Sequence, residues 1–366
     1  MRIAHVISTR GVGGAERILA AVIAELQAQG HEQLVLNPFS TASSDQFASI
    51  CRPITYRGRG CDRITDLPQV RRWLRTELDD FQPDAVHVLL FHARVLTATI
   101  PRRPGTRWLL TQVYDDTLRL GRHPRARQIL DRWSGRRFDR IVAISASVQR
   151  FLLAEHRYPA SKVVRISPGW EGVPVAPDPS PHPTVVCVAK FRAEKGHRVL
   201  LDAFDVLRRE VPDARLLLVG DGELERELRA EVASRQMGGS VEFAGAVTEV
   251  WPSLARSHVF VLPSLTEAFG IAAVEAMAAG LPVVASEVGG LPELIRPGVS
   301  GELFPPGDHE ALAAHLVRLI RSPELRQRMG AAGQEAAQPL RMDRTARRYV
   351  DLFEELVEAH PVSRPG

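Results

Sequence analysis

The sequence has few cysteines, few lysines and no long apolar run. Its three cysteines, Cys51, Cys61 and Cys187, are odd in number and follow no regular spacing. This usage favours a reducing compartment and argues against a disulfide framework or a structural metal site. No apolar stretch approaches the ~18 residues that a membrane-spanning helix requires. We therefore expect a globular protein without a transmembrane segment.

The chain also shows no secretory signal. Its first residues, MRIAHVIS, lead directly into a strand-like run, with no basic segment before a long apolar one. We expect a cytoplasmic protein, with a peripheral position at the inner membrane face as the alternative. The net charge of +4 is mild and does not select between an anionic ligand and a membrane surface. We expect no nucleic-acid partner.

What the chain does have is a repeated alternation of strands and helices over 366 residues, a length that suits two domains. Strand 3–7, glycine loop 8–14 and helix 15–29 open the first half. After 171–184, which contains five prolines and no periodic pattern, the alternation begins again with strand 184–189. Such alternation predicts parallel sheets covered by helices. The predicted fold class is α/β, with two doubly wound Rossmann-like domains that face each other across a cleft.

The most informative stretch is 263–288, PSLTEAFGIAAVEAMAAGLPVVASEV, which follows a predicted buried strand. The small apolar residues 271–279 predict a helix covered on all sides and ended by Gly280. Glu267 precedes this helix and Glu275 lies within it. Because burying an unpaired carboxylate costs several kcal/mol or more, each acid needs a partner. One such partner is a ligand rich in hydroxyls, and the helix start suits a phosphate.

A charged loop, KFRAEKG, follows the first strand of the second half. Its Lys190 and Lys195 lie close to the carboxyl end of that strand, where two ammonium groups can neutralise a diphosphate. The competing interpretation is an ordinary solvated loop.

The glycine loop of the first half contains Gly13 and Gly14, followed by Glu16. A strand, a glycine loop and a helix in this order allow backbone amides to approach a phosphate. A tight turn explains the same glycines equally well. Glu16 stands where a dinucleotide fingerprint has its third glycine, which disfavours a dinucleotide-dependent oxidoreductase.

Polar side chains follow the predicted strands of the first half. Ligands of open parallel sheets bind outside the carboxyl ends of the strands, which makes His92, Tyr114, Asp115 and Ser145 candidates. A structural role for His92 is as well supported as a catalytic one. His87, in the middle of its strand, is expected to be a core histidine, and Ser145 also suits a helix cap.

The segment Arg119–Arg140 holds eight arginines and two aspartates. A solvated helix face is the favoured interpretation, because arginine is abundant throughout the chain. The alternatives are a patch for an anionic acceptor or a weak contact with phospholipid headgroups at a membrane surface.

Together these motifs resemble the family-4 retaining glycosyltransferases of the GT-B fold, along nearly the whole chain. The strongest is the Glu-x7-Glu element formed by Glu267 and Glu275 within its flanking sequence. The further matches are Gly13-Gly14-Ala-Glu16, Glu194-Lys195-Gly196, Val219-Gly-Asp-Gly222, and Gly289-Gly290 with Pro292-Glu293.

The resemblance implies a domain division and a set of site residues. It assigns acceptor binding mainly to the domain 1–173, donor binding to 184–341 after the linker 174–183, and to 342–366 a helix that packs back toward the first domain. The implied donor-binding residues are Gly13, Gly14, Lys190, Lys195, Glu267, Phe269, Gly270, Ile271, Ala272 and Glu275. Glu275 would bind the ribose, Glu267 the sugar hydroxyls, and Lys195 the phosphates. His92, Lys195 and Glu267 are the implied catalytic residues, and Tyr114 and Asp115 lie on the acceptor side.

Two positions depart from the family pattern. Lys190 stands where the family usually has arginine, which keeps the charge but loses the two-pronged guanidinium. The family often shows His-x-His after the fourth strand, whereas this chain has His87-Val-Leu89. We expect His92, three residues further on, to take the place of the missing histidine.

The implied activity is that of a hexosyltransferase, which moves a sugar from a nucleoside-diphosphate sugar to an acceptor hydroxyl with retention of configuration. The acceptor is a sugar, a lipid-linked molecule or a small molecule. The resemblance implies no resident cofactor and no metal, since lysines and backbone amides would stabilise the leaving diphosphate. The alternatives are a nucleotide-sugar epimerase of the same two-domain fold and a non-catalytic protein that binds sugar nucleotides.

Overall fold

The computed structural model describes residues 1–9, 13–39, 55–59, 66–114 and 124–359. The chain divides into two compact units, of which unit 1 comprises Met1–Pro168 with Met342–Gly366, and unit 2 comprises Gly169–Arg341. Residues that precede the predicted linker 174–183 belong to unit 2. Trp170 explains this, because its backbone N–H donates to Leu340 O at 2.9 Å and its indole N–H donates to Ala337 O at 2.9 Å.

Unit 1 is built on a parallel sheet of seven strands in the order β3-β2-β1-β4-β5-β6-β7. The strands are β1 (Arg2–Ile7), β2 (Glu32–Asn37), β3 (Thr55–Gly58), β4 (Ala85–Leu89), β5 (Arg107–Gln112), β6 (Arg140–Ala143) and β7 (Val163–Arg165). The helices of this unit are α1 (Gly14–Ala28), α2 (Leu67–Phe81), α3 (Phe91–Ala98), α4 (Pro124–Gly135), α5 (Ala146–Ala154) and, from the end of the chain, α13 (Met342–Glu358).

The elements of unit 1 follow from their apolar patterns. Strand β1 lies in the middle of the sheet and is buried from Ile3 to Ile7, as a run that is apolar except for His5 predicts in a parallel sheet. Helix α1 buries Ile18, Val22 and Leu26 on one face, which is the spacing of an amphipathic helix. The hydroxyl of Ser145 accepts from the Val148 N–H at 3.1 Å, so the predicted helix cap is confirmed.

A buried chain of polar side chains crosses the middle of this sheet. His5 Nδ1 and His87 Nδ1 share a hydrogen bond of 3.2 Å, and His87 Nε2 lies 2.8 Å from the Thr111 hydroxyl. The Thr111 hydroxyl in turn bonds the Tyr349 hydroxyl at 3.0 Å, which ties α13 to the sheet. Burial, followed by the neighbouring His5, lowers the pKa of His87 well below its usual value. The prediction that His87 is a core histidine is confirmed.

Unit 2 is built on a parallel sheet of six strands in the order β10-β9-β8-β11-β12-β13. The strands are β8 (Thr184–Val188), β9 (Arg215–Val219), β10 (Val241–Gly245), β11 (Val259–Leu262), β12 (Val283–Ser286) and β13 (Gly301–Phe304). The helices are α6 (His197–Glu210), α7 (Glu225–Ser234), α8 (Trp251–Ala255), α9 (Ile271–Ala278), α10 (Leu291–Leu294), α11 (His309–Arg321) and α12 (Pro323–Ala337). Phe191, Phe204 and Phe304 lie in its core.

The two parallel sheets confirm the predicted α/β class. Three strands were not predicted: Thr55–Gly58, Val163–Arg165 and Gly301–Phe304. Each lies at an edge of its sheet and spans only three or four residues. Each run also contains a charged residue, so it lacks the unbroken apolar pattern that separates a short buried strand from a loop. Within the described ranges, no helix is both long and apolar enough to cross a bilayer.

Candidate active site

The loops at the carboxyl edge of the unit 2 sheet are joined by backbone hydrogen bonds. After β8 and β11, Leu265 N–H donates to Glu194 O at 2.8 Å. After β11 and β12, Gly290 N–H donates to Glu267 O at 3.1 Å. Because parallel strands end at the same edge, residues far apart in sequence meet here. The structure thus brings together the loops that carry Lys195, Glu267 and the Gly289-Gly290 turn.

Lys195 and Glu267 form an ion pair at this edge. Lys195 Nζ lies 2.7 Å from Glu267 Oε2, with side chains 24% and 14% exposed. The Ser264 hydroxyl approaches the same oxygen at 3.4 Å. Among the described residues, both hydrogen bonds to the Glu267 carboxylate therefore reach Oε2. A lysine ammonium has three N–H donors, so Lys195 can contact a further anion without leaving Glu267.

Lys190 lies at the same edge in a more open position. Its ammonium is 2.5 Å from Asp221 Oδ1, and both side chains are 49% exposed. An ion pair this exposed contributes little to stability. The structure therefore holds Lys195 more firmly than Lys190, although both come from one loop.

The turn at Gly289 requires glycine. Its φ is +54°, and a Cβ at this position would overlap the carbonyl oxygen of Glu267. Gly290 also packs closely, since an added Cβ would lie 2.6 Å from Ala268 O. Both glycines let the turn after β12 support the backbone at Glu267 and Ala268.

Helix α9 begins directly after this supported segment. Gly270 is its N-cap with φ +100°, a conformation that favours glycine, while the Phe269 side chain is buried. Ile271 and Ala272 in the first turn are half-buried. The first turn of a helix has backbone N–H groups without intrahelical acceptors. The edge therefore carries hydrogen-bond donors and a positive helix end beside Lys195 and Glu267.

Glu275 is the fifth residue of α9 and only 2% exposed. It has an interaction partner within the protein. The sequence placed this acid on the helix, and the structure places it about one turn along α9 from the supported segment. The surrounding residues of α9, from Ala273 to Ala278, are buried, as the small apolar pattern predicts.

Residue patterns did not single out two polar neighbours of this edge. Asp221, the partner of Lys190, lies inside the Val219–Gly222 motif, which could have indicated it. His197 follows the Glu194–Gly196 motif and is 3% exposed, with neither ring nitrogen hydrogen-bonded. Burial, followed by the Lys195 charge, lowers the pKa of His197 to about 4. A neutral, buried imidazole has no signature in a single sequence.

The remaining predicted residues lie in unit 1. Gly13 caps α1, and its N–H donates to Glu16 Oε2 at 2.9 Å, so Glu16 stabilises the helix start. Gly14 is the first residue of α1. Asp115 lies outside the described residues, as do positions 119–123 of the arginine-rich segment.

Tyr114 is held by a buried polar cluster. Its hydroxyl donates to Asp131 Oδ1 at 3.1 Å, and Arg94 forms an ion pair with the same oxygen at 3.0 Å. Gln112 Nε2 donates to Tyr114 O at 3.0 Å. Burial, followed by the Asp131 charge, raises the pKa of Tyr114 above its usual value. Tyr114 therefore remains a neutral phenol throughout the physiological range.

His92 is the second residue of α3, and its side chain is exposed. Its ring contacts Phe39 and Phe91, with centroid distances of 5.7 and 5.4 Å. Desolvation of the ring on the side that faces these aromatic neighbours, followed by the Arg127 charge, lowers the pKa of His92. His92 and Tyr114 thus lie at the carboxyl ends of neighbouring strands, β4 and β5.

Both halves of the chain match known families. Residues 12–171 match the family described as Glycosyltransferase Family 4, and residues 174–336 match Glycosyl transferases group 1. The phosphatidyl-myo-inositol mannosyltransferase of Mycobacterium leprae is 32% identical over 352 residues, which cover 88% of each chain. The N-acetyl-alpha-D-glucosaminyl L-malate synthase of Bacillus anthracis is 32% identical over 47% of this chain and 45% of that protein.

Solved structures show the same fold. The sucrose-phosphate synthase of Thermosynechococcus elongatus superposes with a TM-score of 0.83 at 22% identity, covering 98% of this chain and 100% of that one. HepE of Anabaena, solved in complex with UDP-glucose, gives a TM-score of 0.82 at 19% identity, covering 97% and 100%. The chain is therefore a glycosyltransferase that belongs to family 4 and adopts the GT-B fold.

Proposed function

We propose that this glycosyltransferase transfers a hexosyl group from a nucleoside-diphosphate sugar to an acceptor hydroxyl, with retention of configuration and without a metal ion. The observation that carries the proposal is the arrangement at the carboxyl edge of the unit 2 sheet. There the Lys195–Glu267 ion pair lies beside the start of α9, and Glu275 lies farther along the same helix. The ammonium group of Lys195 and the N–H groups at the start of α9 suit the diphosphate of the donor. The carboxylates of Glu267 and Glu275 suit the hydroxyls of the sugar and the ribose on either side of it.

The cationic groups would act on the leaving group. As the bond between the sugar and the diphosphate breaks, negative charge grows on the diphosphate, and donors already in place stabilise that charge best. Lys195 is the partly buried cation of the edge, and the start of α9 adds backbone N–H groups and a positive dipole end. Lys190, which is more exposed, would add a weaker contribution.

The carboxylates would bind hydroxyls rather than attack the sugar. Glu267 Oε1 would accept from a sugar hydroxyl while Oε2 stays with Lys195, and Glu275 would accept from the ribose. A glycosidase needs one carboxyl group that gives a proton and a second placed across the scissile bond. Glu267 forms an ion pair with Lys195, and a carboxylate in an ion pair is poorly suited to donating a proton. A leaving phosphate oxygen would take the proton of the acceptor hydroxyl.

Relatives support a nucleotide-sugar donor without selecting its base. Relatives from Mycolicibacterium smegmatis and Mycobacterium tuberculosis are named GDP-mannose-dependent mannosyltransferases. HepE, by contrast, was solved with UDP-glucose. A donor screen for this chain therefore includes both guanosine and uridine diphosphate sugars.

A stability screen followed by a transfer assay tests the proposal. Uridine, guanosine, adenosine and thymidine diphosphate sugars are added in turn, and one of them should raise the thermal midpoint, since ligands stabilise the state they bind. With that donor, nucleoside diphosphate should form only when an acceptor is present, and proton NMR should show the donor's anomeric configuration in the product. Isomerised donor without acceptor would indicate the epimerase, and binding without turnover on any acceptor the non-catalytic protein.

We also propose that the outer face of α4 contacts an anionic membrane surface. Ile129 (69% exposed), Leu130 (40%) and Trp133 (42%) share this face, and Arg136 and Arg137 at its end are exposed. An apolar face with tryptophan and flanking arginines is typical of helices that lie in a membrane interface. This favours the lipid interpretation of the arginine-rich segment over the solvated face that its sequence indicated.

The double substitution Ile129→Ser and Trp133→Ser is expected to weaken vesicle binding by at least about tenfold. The reason is that two large apolar side chains are no longer transferred from water into the membrane interface. Co-sedimentation with phosphatidylcholine vesicles, with and without phosphatidylglycerol, measures this. Val173 and Val175, which are 80% and 48% exposed in unit 2, provide the matched serine control. Equal binding by both double variants would contradict the proposal.

A further inference from the structure

A cluster of five side chains occupies the carboxyl edge of the unit 1 sheet. We call Phe39, Phe91, His92, Tyr114 and Arg127 the Arg127 cluster. Phe39 follows β2, Phe91 and His92 follow β4, and Tyr114 follows β5, while Arg127 reaches the edge from α4. In open parallel sheets this edge is where ligands bind. The Arg127 cluster belongs to unit 1, whereas the groups proposed to bind the donor belong to unit 2.

Arg127 is the unusual member of the cluster. Its guanidinium carbon lies 4.7 Å from the Phe91 ring centroid and 5.2 Å from that of Tyr114. The side chain is half-buried and Nε is buried without a hydrogen-bond partner. Among the residues that the structure describes, Arg127 forms no ion pair or hydrogen bond. Its neighbour Arg94, in contrast, is paired with Asp131 at 3.0 Å.

A half-buried guanidinium without an anion is costly, because removing charge from water is compensated only by a partner. Stacking on two aromatic rings recovers part of this cost. Nε is buried, whereas the two terminal nitrogens of the guanidinium are not among the buried atoms, so their N–H groups are available for a ligand. Planar, two-pronged recognition of phosphate or carboxylate is the interaction for which arginine is best suited.

The rest of the cluster suits an anion that carries an apolar or ring-shaped body. His92 is exposed, in the first turn of α3, and neutral, so it can donate one hydrogen bond at physiological pH. Phe39 and Phe91 flank it with their rings. Ligand sites commonly combine such aromatic walls with a few placed polar groups.

The cluster rests on a rigid support. Asp131 receives the Tyr114 hydroxyl at 3.1 Å and the Arg94 guanidinium at 3.0 Å, and it is fully buried. Gln112 bridges Arg94 and the Tyr114 backbone at 2.7 and 3.0 Å. Because these partners fix the ring beneath Arg127, the guanidinium is held in place before any ligand arrives.

We propose that the Arg127 cluster binds a phosphate ester on the acceptor, with Arg127 contacting the phosphate and the aromatic rings contacting the body that carries it. This rests on the proposed function and names the acceptor class of that reaction. The phosphate belongs either to a free sugar phosphate or to a phospholipid headgroup. The cluster differs from the outer face of α4, since Arg127 lies on the side of the helix that also carries buried Asp131.

Calorimetric titration of the full-length chain tests this, with the donor side filled by the nucleoside diphosphate that gives the largest stability increase. Glucose 1-phosphate and dihexanoyl phosphatidylglycerol are the two phosphate probes, and methyl glucoside and dihexanoyl glycerol are their phosphate-free counterparts. At least one phosphate probe should bind, about tenfold or more tightly than its counterpart, which is the effect of one charge-assisted interaction. Which phosphate probe binds more tightly identifies the source.

Arg127→Gln should lower the affinity for the phosphate probe by about tenfold. Arg127→Lys keeps the charge but loses the planar guanidinium, so its affinity should lie between those of wild type and Arg127→Gln. Arg150→Gln, at an exposed arginine of α5, should leave binding unchanged. If the thermal midpoints of the Gln and Lys variants are close to each other and to that of wild type, the loss of affinity does not come from misfolding. The proposal is overturned if phosphate probes bind no better than their counterparts, or if Arg127→Gln binds them as wild type does.

Failure of the proposed function gives a different result. In that case no nucleoside diphosphate or its sugar binds, whatever the acceptor probes do. A second result separates the two proposals. If a nucleoside diphosphate binds and Lys195→Ala weakens that binding, the proposed donor site is supported. If the phosphate probes then bind no more tightly than their phosphate-free counterparts, the assignment of the Arg127 cluster is wrong.

Discussion

Replacing Lys195 with alanine is expected to lower the rate of sugar transfer by about two to three orders of magnitude, the usual effect of removing one preorganised donor from developing negative charge. Lys195 is 24% exposed and already fixed by Glu267 at 2.7 Å. It therefore needs little reorganisation when charge grows on the leaving diphosphate. Steady-state measurement of kcat and KM for donor checks the prediction. The larger part of the loss should appear in kcat, with a smaller rise in KM, because Lys195 also contacts the diphosphate of the bound donor before the bond breaks.

Lys190→Ala is the matched control, since the same loop carries both lysines. The Lys190–Asp221 pair is 49% exposed on both sides, where water screens the charge. We expect a loss in kcat/KM of less than about tenfold, equivalent to about 1.4 kcal/mol. Equal losses in both variants, or a small loss in Lys195→Ala, would contradict the role assigned to Lys195. Lys195→Arg should restore part of the rate, because it restores the charge.

Replacing Gly289 with alanine is expected to destabilise unit 2 by more than about 3 kcal/mol and to weaken donor binding as well. The residue has φ +54°, and its new Cβ would overlap the carbonyl oxygen of Glu267. Either the turn after β12 or the loop after β11 must move, and the second movement displaces Glu267 from Lys195. Urea unfolding followed by circular dichroism gives the stability change, and donor titration gives the binding change.

Gly298→Ala separates backbone strain from collision. Gly298 has φ +75°, is exposed, and an added Cβ there meets no atom within 4 Å. Its substitution costs only the strain of the left-handed conformation, about 1 to 2 kcal/mol, and should leave donor affinity unchanged. Comparable losses of stability and affinity in the two alanine variants would show that Gly289 does not position Glu267.

Much of the fold was predictable because its elements follow simple patterns. The apolar run Val259–Leu262, the small apolar residues of α9 and the stop at Gly280 gave a strand, a covered helix and a turn, and all three are present. Gly301–Phe304 was not predictable, since its glycine and glutamate leave no unbroken apolar run of the kind that marks Val259–Leu262. The inclusion of Gly169 and Trp170 in unit 2 follows from the hydrogen bonds of Trp170 to Ala337 and Leu340, which no local pattern contains.

The candidate site was predictable where chemistry and spacing coincide. Glu267 and Glu275 stand out because they are the two carboxylates in an otherwise apolar stretch. Lys190 and Lys195 stand out because the chain has only one other lysine, Lys162. The pairing of Lys195 with Glu267, 72 residues apart, required the sheet to form first. Arg127 was hidden among eight arginines of its segment, and only its contacts with Phe91 and Tyr114 distinguish it.

The thermal midpoint of the chain, measured across a series of nucleoside-diphosphate sugars, tests the central claim most directly. The account predicts that one donor raises the midpoint in proportion to the logarithm of its concentration above its dissociation constant, and that Lys195→Ala needs more of the same donor for an equal rise. A chain whose midpoint responds to none of the nucleoside-diphosphate sugars, or equally in wild type and Lys195→Ala, would contradict the claim that this edge of unit 2 binds the donor.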